Sequence, residues 1–180
     1  VGRKIRRVRI LWPGTLAGIS SRRFAQALSG LRIQGLYRRA KYLVFPLSQG
    51  WTLLVHLRMT GQFYLNRRFN PGPHDRLILG LDDGRSLHYR DPRKFGRWRL
   101  VKNDGPYLDP LGPEPLDPSF SARQLASGLA QRRRRLKPLL LDQTFLAGLG
   151  NIYTDESLWT AGLHPLRRSE TLKWSESQAL

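Results

Sequence analysis

Through the first half of the chain, apolar and polar positions alternate with the period of two that a half-buried strand requires. Val8 and Ile10 stand between arginines, and Pro13-Gly14 closes that run. Ser20-Ser21 is a capping signal for a helix that carries Phe24, Ala25 and Leu28 and stops at Gly30. Strand-like runs follow over 31–37, 41–45, 51–57 and 62–65. Leu77, Leu79 and Leu81 alternate up to Asp82-Asp83-Gly84, a compact hairpin signal, and the runs 86–90 and 96–101 complete the set. Repeated short strands with turns between them predict an antiparallel β-sandwich or flattened barrel.

Near Leu111 the period changes. Gly112-Pro113-Glu114-Pro115 and Asp117-Pro118 make a proline-rich joint that divides 1–111 from 112–180. Beyond it Ser121 caps a helix bearing Leu125 and Leu129, and Pro138 suits the opening of another. Gly148 and Gly150 lead into a helix for which Asn151 reads as the cap, with Ile152, Leu158 and Trp159 on its apolar face and Gly162 as its stop. The fold class is therefore α+β, a sandwich followed by a helical domain, with a cleft between them as the expected ligand site. Val1 is not an initiator methionine, and 171–180 reads as a helix just beginning, so both ends read as cut.

Charge narrows the function. Lysine and arginine number 31 against 13 acids, a net charge of +18. An excess of that size repels itself unless a polyanion relieves it, which makes nucleic acid the default partner. Apolar residues make up 40%, enough for a real core. The absence of cysteine excludes disulfides and thiolate zinc sites within these residues, and the four histidines show no metal-ligand spacing. No apolar run is long enough for a membrane span and no signal peptide opens the chain, which points to a cytoplasmic or nucleoid location.

Several stretches could carry chemistry. Arg132-Arg133-Arg134-Arg135-Leu136-Lys137 precedes the glycine-opened helix, and free N–H groups at such a start bind anions; the alternative is an ordinary solvated basic face. In Asp91-Pro92-Arg93-Lys94-Phe95-Gly96, Arg93 could hold a phosphate or a base edge while Phe95 wedges between bases, or Phe95 could cap the core of a plain β-turn. Met59, the one methionine, is either core filler or a plug for the space left by an extruded base. His74 follows Pro71-Gly72-Pro73 in a loop and reads as a surface polar group. Lys41 interrupts an apolar strand, facing solvent or placed in a cleft where burial lowers its pKa. Asp155 and Glu156 complement the dipole of their helix, or Glu156 accepts hydrogen bonds from a flipped base.

Taken together these strings resemble the bacterial formamidopyrimidine-DNA glycosylase family. The resemblance is carried by Arg38-Arg39-Ala40-Lys41-Tyr42-Leu43, His56-Leu57-Arg58-Met59-Thr60-Gly61, Asp91-Pro92-Arg93-Lys94-Phe95-Gly96 and Leu111-Gly112-Pro113-Glu114-Pro115-Leu116. Gly150-Asn151-Ile152-Tyr153 through Glu156 and Gly162-Leu163-His164-Pro165 complete it, in family order across nearly the whole chain. It implies a β-sandwich and a helix–two-turns–helix domain, with bent double-stranded DNA in the cleft and an oxidised purine turned out of the stack. By that likeness Met59, Arg93 and Phe95 fill the vacated space. His74, Arg93, Arg133 and Asn151 contact the DNA backbone, Lys41 assists the elimination that nicks the strand, and Glu156 lies near the extruded base. The partner implied is DNA with oxidised bases or abasic sites, bound by a monomer.

The chain departs from the family pattern at its working end. Family members expose an N-terminal proline next to a glutamate, whose amine attacks the sugar carbon, expels the base and forms a Schiff base. No Pro-Glu pair begins these residues. The family's zinc finger would fall beyond Leu180, which leaves no cofactor or metal in this chain. The expectation is a base-excision glycosylase and abasic-site lyase, present as a fragment that is itself inactive. The alternative is a non-catalytic relative that binds damaged DNA. A basic RNA-binding protein of ribosomal type explains the charge but not the ordered motifs.

Overall fold

Eight strands form where the alternation runs: β1 (Ile5–Ile10), β2 (Tyr37–Arg39), β3 (Tyr42–Leu47), β4 (Trp51–His56), β5 (Gln62–Asn66), β6 (Asp75–Leu81), β7 (Ser86–Arg90) and β8 (Arg97–Val101). In the computed structural model, which describes residues 1–180, they make two four-stranded antiparallel sheets. The strand orders are β1-β6-β7-β5 and β2-β3-β4-β8. Inward-facing side chains of both sheets share one core that includes Ile5, Leu53, Val55, Leu77, Leu79 and Trp98. Phe63, Tyr89 and Trp98 meet there at ring-centroid separations of 5.3–5.4 Å. Helix α1 (Ser21–Leu28) adds Phe24 and Leu28 to this core, and its start is capped by the Ser20 hydroxyl, which accepts the Arg23 amide.

The run 31–37, expected as a strand, is not one. Only Tyr37–Arg39 pairs regularly with β3, and Ile33 makes an isolated bridge to Leu47. The reason lies opposite: the amides of Gln34 and Gly35 both donate to the Pro46 carbonyl, and proline returns no N–H to continue the ladder.

The chain divides into two compact units, Val1–Pro106 and Tyr107–Leu180. The division precedes the proline-rich joint expected at Leu111, because that joint belongs to the helical unit. Gly112 donates its amide to the Gln143 carbonyl, and Ala147 donates to the Pro113 carbonyl. After the short turn of helix α2 (Gly105–Leu108), the helices are α3 (Ala122–Ala130), α4 (Leu136–Leu140), α5 (Asn151–Thr160) and α6 (Trp174–Ala179). Their core is mostly leucine, with Leu129, Leu136, Leu139, Leu140 and Leu158 almost fully buried. Ser121 opens α3 with a complete capping box to Gln124. Helix α5 closes on Gly162 at φ +64°, where the amides of Gly162 and Leu163 return to the carbonyls of Trp159 and Leu158. No helix is long and apolar enough to cross a membrane.

Candidate nucleic-acid interface

Strand pairing fixes which loops share an end of the sandwich. Tyr42 pairs with His56, His56 with Arg97, and Arg90 with both Gln62 and Asp75. The β2–β3, β4–β5 and β7–β8 connections therefore emerge together, and the β5–β6 connection, which leaves Asn66 at the other end, returns to them at His74. They carry Lys41, Met59, His74, and Arg93 with Phe95, so five of the expected residues sit on one end of one unit. Five non-glycine residues have a left-handed backbone, and four of them lie in these loops: Ala40 (φ 52°), Arg58 (56°), His74 (66°) and Lys94 (62°). Each such residue costs about 1–3 kcal/mol, and strain of this kind collects where a loop is shaped for binding.

Met59 is 69% exposed and Phe95 45%, so neither is core filler, and the reading of Phe95 as a cap on the core does not hold. The Arg93 guanidinium lies 4.7 Å from the centre of the Phe95 ring and Lys94 Nζ 4.2 Å from that of Trp12, leaving a rim of cations on aromatic faces. Beneath them Asp91 is fully buried. Its carboxylate accepts the Thr60 hydroxyl at 2.5 Å, the Gly96 amide at 2.8 Å and the Tyr89 hydroxyl at 3.3 Å. Burial works to raise the pKa of Asp91, but these hydrogen bonds outweigh it and hold the carboxyl below its ordinary range.

Lys41 is not in a strand. It sits half-buried in the β2–β3 turn, immediately after the left-handed Ala40. Burial, and secondly the charge of Arg58, lower its pKa. His56 lies across from Tyr42, whose ring meets it edge-on at 5.3 Å, and its Nδ1 accepts the Arg58 amide at 3.1 Å. Burial first, then Arg58 and Lys41, pull His56 down to about 4, so a neutral imidazole stands near the lysine. The sequence reading missed His56, whose only signal was its place in the string with Met59.

His74 is exposed, and the residue after it is an anchor. Asp75 is buried, and its carboxylate lies 2.8 Å from His88 Nδ1 and accepts the Tyr64 hydroxyl at 2.8 Å and the Gly72 amide at 2.7 Å. His88 Nε2 lies 3.0 Å from the Ser86 hydroxyl, which donates to the Arg68 carbonyl at 2.7 Å. This cluster ties the loop leading to His74 onto the sheet. Its members resemble a nucleophilic triad in type, but Ser86 and His88 are sealed from solvent.

In the helical unit the basic run is less free than it reads. Arg132 stacks on Phe145 and donates to the Gly128 carbonyl, Arg134 pairs with Asp142 at 2.6 Å, and Lys137 pairs with Asp155 at 2.8 Å. The Arg133 and Arg135 side chains have no such partner and are exposed. Helix α5 is capped by Gly150, not by Asn151, which is its first residue and makes no side-chain capping bond. The Asn151 amide group therefore points to solvent beside bare N–H groups. The apolar face also differs from expectation: Thr154 and Leu158 are buried, while Ile152, Tyr153 and Trp159 are 72–86% exposed. Ile152 and Trp159 do share a face, seven residues apart, but it is the outer one. Asp155 and Glu156 fall beyond the first turn, and Glu156 is exposed with no bonded partner. No group of histidine, aspartate and glutamate gathers as a metal site in these residues.

A strained cationic loop tip on an antiparallel sandwich, and a helical unit presenting arginine, asparagine and bare helix N–H groups, define an α+β nucleic-acid-binding protein. More narrowly, the chain belongs to the formamidopyrimidine-DNA glycosylase family. The family's N-terminal domain matches residues 1–98, and its H2TH domain matches 111–180. It is 43% identical over 183 residues to formamidopyrimidine-DNA glycosylase of Desulfitobacterium hafniense, and 46% over 184 residues to that of Roseiflexus. Those alignments cover 99% and 100% of this chain and 67% of each relative. Among solved structures, that of Lactococcus lactis Fpg with DNA containing FAPY-dG superposes with a TM-score of 0.88 at 37% identity, covering 99% of this chain and 69% of that one. The chain thus spans about two thirds of the relatives it matches.

Proposed function

We propose that this chain is the DNA-engaging body of a bacterial base-excision glycosylase for oxidised purines, formamidopyrimidine and 8-oxoguanine among them, working on DNA in the cytoplasm at the nucleoid. The observation that carries the reading is the shared tip on which Met59, Arg93 and Phe95 stand exposed over a buried Asp91. Exposed apolar and stacked cationic side chains on stiff loops suit the space left by a base turned out of the duplex. Membership of the family, and relatives solved with FAPY-dG and abasic-site DNA, support it. Arg93, His74, Arg133 and Asn151 supply phosphate contacts. Glu156, exposed and unpaired, accepts hydrogen bonds from the extruded base.

Family chemistry runs through a secondary amine that attacks the sugar carbon, with the base leaving and a Schiff base remaining. Lys41, whose pKa is lowered, assists the elimination that then breaks the strand. An amine at Val1 would be badly placed for the first step. Val1 borders a cavity with Leu65, Leu81 and Leu87, at the end of the sandwich away from Asp75 and Asp91. The length of β6 separates those ends by roughly 20 Å at a strand's rise per residue. Borohydride trapping on 8-oxoguanine DNA tests the proposal. Residues 1–180 leave no covalent adduct, and the same residues preceded by a Met-Pro-Glu family start, processed to expose proline, leave one. Absence of an adduct in both, with tight binding to lesion DNA retained, favours the non-catalytic binder instead.

A further inference from the structure

Val1–Pro106 contains two fully buried carboxylates, Asp75 and Asp91. An aspartate before proline ordinarily serves its own turn. Asp91 does more than that. Oδ1 takes the hydroxyl of Thr60, the residue after Met59 and 31 positions away. Oδ2 takes the amide of Gly96, the residue after Phe95, and the Tyr89 hydroxyl. The Asp91 amide donates to the His74 carbonyl at 3.0 Å. Its carbonyl accepts the Lys94 amide at 3.2 Å and Arg76 Nε at 2.8 Å. Thr60 closes the circuit, because its hydroxyl oxygen accepts the Arg93 amide at 3.3 Å.

Two glycines let the loops come this close. A β-carbon on either Gly61 or Gly96 would collide with the Tyr89 hydroxyl, so both loops close on one oxygen. Tyr89 cannot yield, since it is fully buried against Phe63 and Trp98. The loops bearing Met59, and Arg93 with Phe95, are thus held to each other through one ionised side chain, and the loop bearing His74 is held by the main chain of the same residue.

We propose that Asp91, acting with Thr60 and Tyr89, is a positioning residue that sets Met59, Arg93 and Phe95 at the spacing needed to occupy the gap left by an extruded base. This rests on the reading of those three as gap-filling residues. A carboxylate suits the task because it only accepts, and every group aimed at it is a donor. Loops fastened to each other keep their separation when one is pushed, and a displacement on the scale of an ångström is enough to impair such a fit.

The test compares the intact chain with Thr60→Val, which keeps the shape of Thr60 but removes the hydroxyl, with Thr60→Ser, which restores it, and with Tyr89→Phe. Affinity is read by anisotropy on a duplex with a tetrahydrofuran abasic site and on the undamaged duplex. Unstacking is read from 2-aminopurine placed opposite the gap. The ratio of the two affinities falls about tenfold in Thr60→Val, the 2-aminopurine signal falls with it, and Thr60→Ser recovers both. Tyr89→Phe, losing the longer bond, shows a smaller fall in the same ratio, and it decides the matter if Thr60→Val does not fold. Where Thr60→Val loses its fold, both affinities fall together, and the ratio in Tyr89→Phe is the one that is read. An undiminished ratio in Thr60→Val or Tyr89→Phe overturns the role of Asp91 while leaving the gap-filling reading intact. No preference for the abasic duplex in the parent chain overturns both.

Discussion

His74 shows the conflict between folding and binding within one residue. Its φ of 66° favours glycine, and its side chain is exposed, so it contributes little packing in return. His74→Gly is expected to stabilise the β unit by up to about 1 kcal/mol and to weaken DNA binding, a trade seen by pairing a thermal melt with a binding titration. A variant that melts lower would show the left-handed backbone to be stress-free. His56 carries a second cost, visible in pH. Its pKa falls from 6.5 to about 4 on folding, through burial and the charges of Arg58 and Lys41. The unfolded chain therefore binds the extra proton first. The contribution of neutral His56 is full above pH 6.5 and is lost as pH falls toward 4. The melting midpoint should drop across that window, and drop less in His56→Asn; equal slopes for both would place the titration elsewhere. These residues differ in how far the sequence exposed them. Met59, Arg93 and Phe95 were legible because they stand in ordered strings. Asp91 and Thr60 stand in the same strings, but that they fix those side chains was not legible, because a hydrogen bond that spans 31 positions leaves no local pattern.

At the level of elements, the sequence was most readable where the periodicity was undisturbed and the ends were capped in the usual way. Strands β6 and β7 with their Asp82-Asp83-Gly84 turn, and α3 with its Ser121 cap, fall where alternation and capping chemistry put them. Helix α5 was readable at one end only. Its stop at Gly162 followed from glycine chemistry, but its start was misassigned by one residue, because Gly150 caps without a side chain and leaves Asn151 inside. Its buried face was misassigned as well, since apolar Ile152 and Trp159 face outward while polar Thr154 faces in. Propensity alone cannot distinguish an exposed apolar face from one that faces the core. The stop itself can be tested. Nothing lies within 4 Å of a β-carbon built on Gly162, so Gly162→Ala meets no clash and suffers only the left-handed backbone. A loss of about 1 kcal/mol is expected in a denaturant titration, with the slope unchanged. A neutral result would mean the helix end re-forms with another geometry.

The charge of the whole molecule is far from evenly spread. Val1–Pro106 holds 22 basic and 5 acidic residues, and Tyr107–Leu180 holds 9 and 8, so almost all of the +18 belongs to the β unit. Even those five acids are mostly occupied: Asp75 and Asp91 are buried, and Asp83 is shared by Arg3 and Arg85. In the helical unit, by contrast, three cations of the Arg132–Lys137 run are already held by Phe145, Asp142 and Asp155. On the proposed function, the grip on a phosphate backbone is expected to lie chiefly on the sandwich, with Arg133 and Arg135 adding to it. Part of the sandwich charge also has a purely structural use, since arginines along β1 guard an edge strand from pairing with another chain. Salt then acts on this protein in two opposite directions. Without DNA, ions screen the repulsion among the arginines, so raising sodium chloride from 0.01 to 0.15 M, which shortens the Debye length from about 30 to about 8 Å, is expected to raise the melting temperature. With DNA, the same ions compete for phosphate, and affinity falls along a log–log slope of about 0.9 per phosphate neutralised. Replacing Arg133 and Arg135 by glutamine should flatten that slope by no more than about 2 and leave the salt-dependent rise in melting temperature in place. A slope that collapses in this double variant would return the grip to the helical unit, and a melting temperature indifferent to salt would show that the arginines of the sandwich do not repel one another.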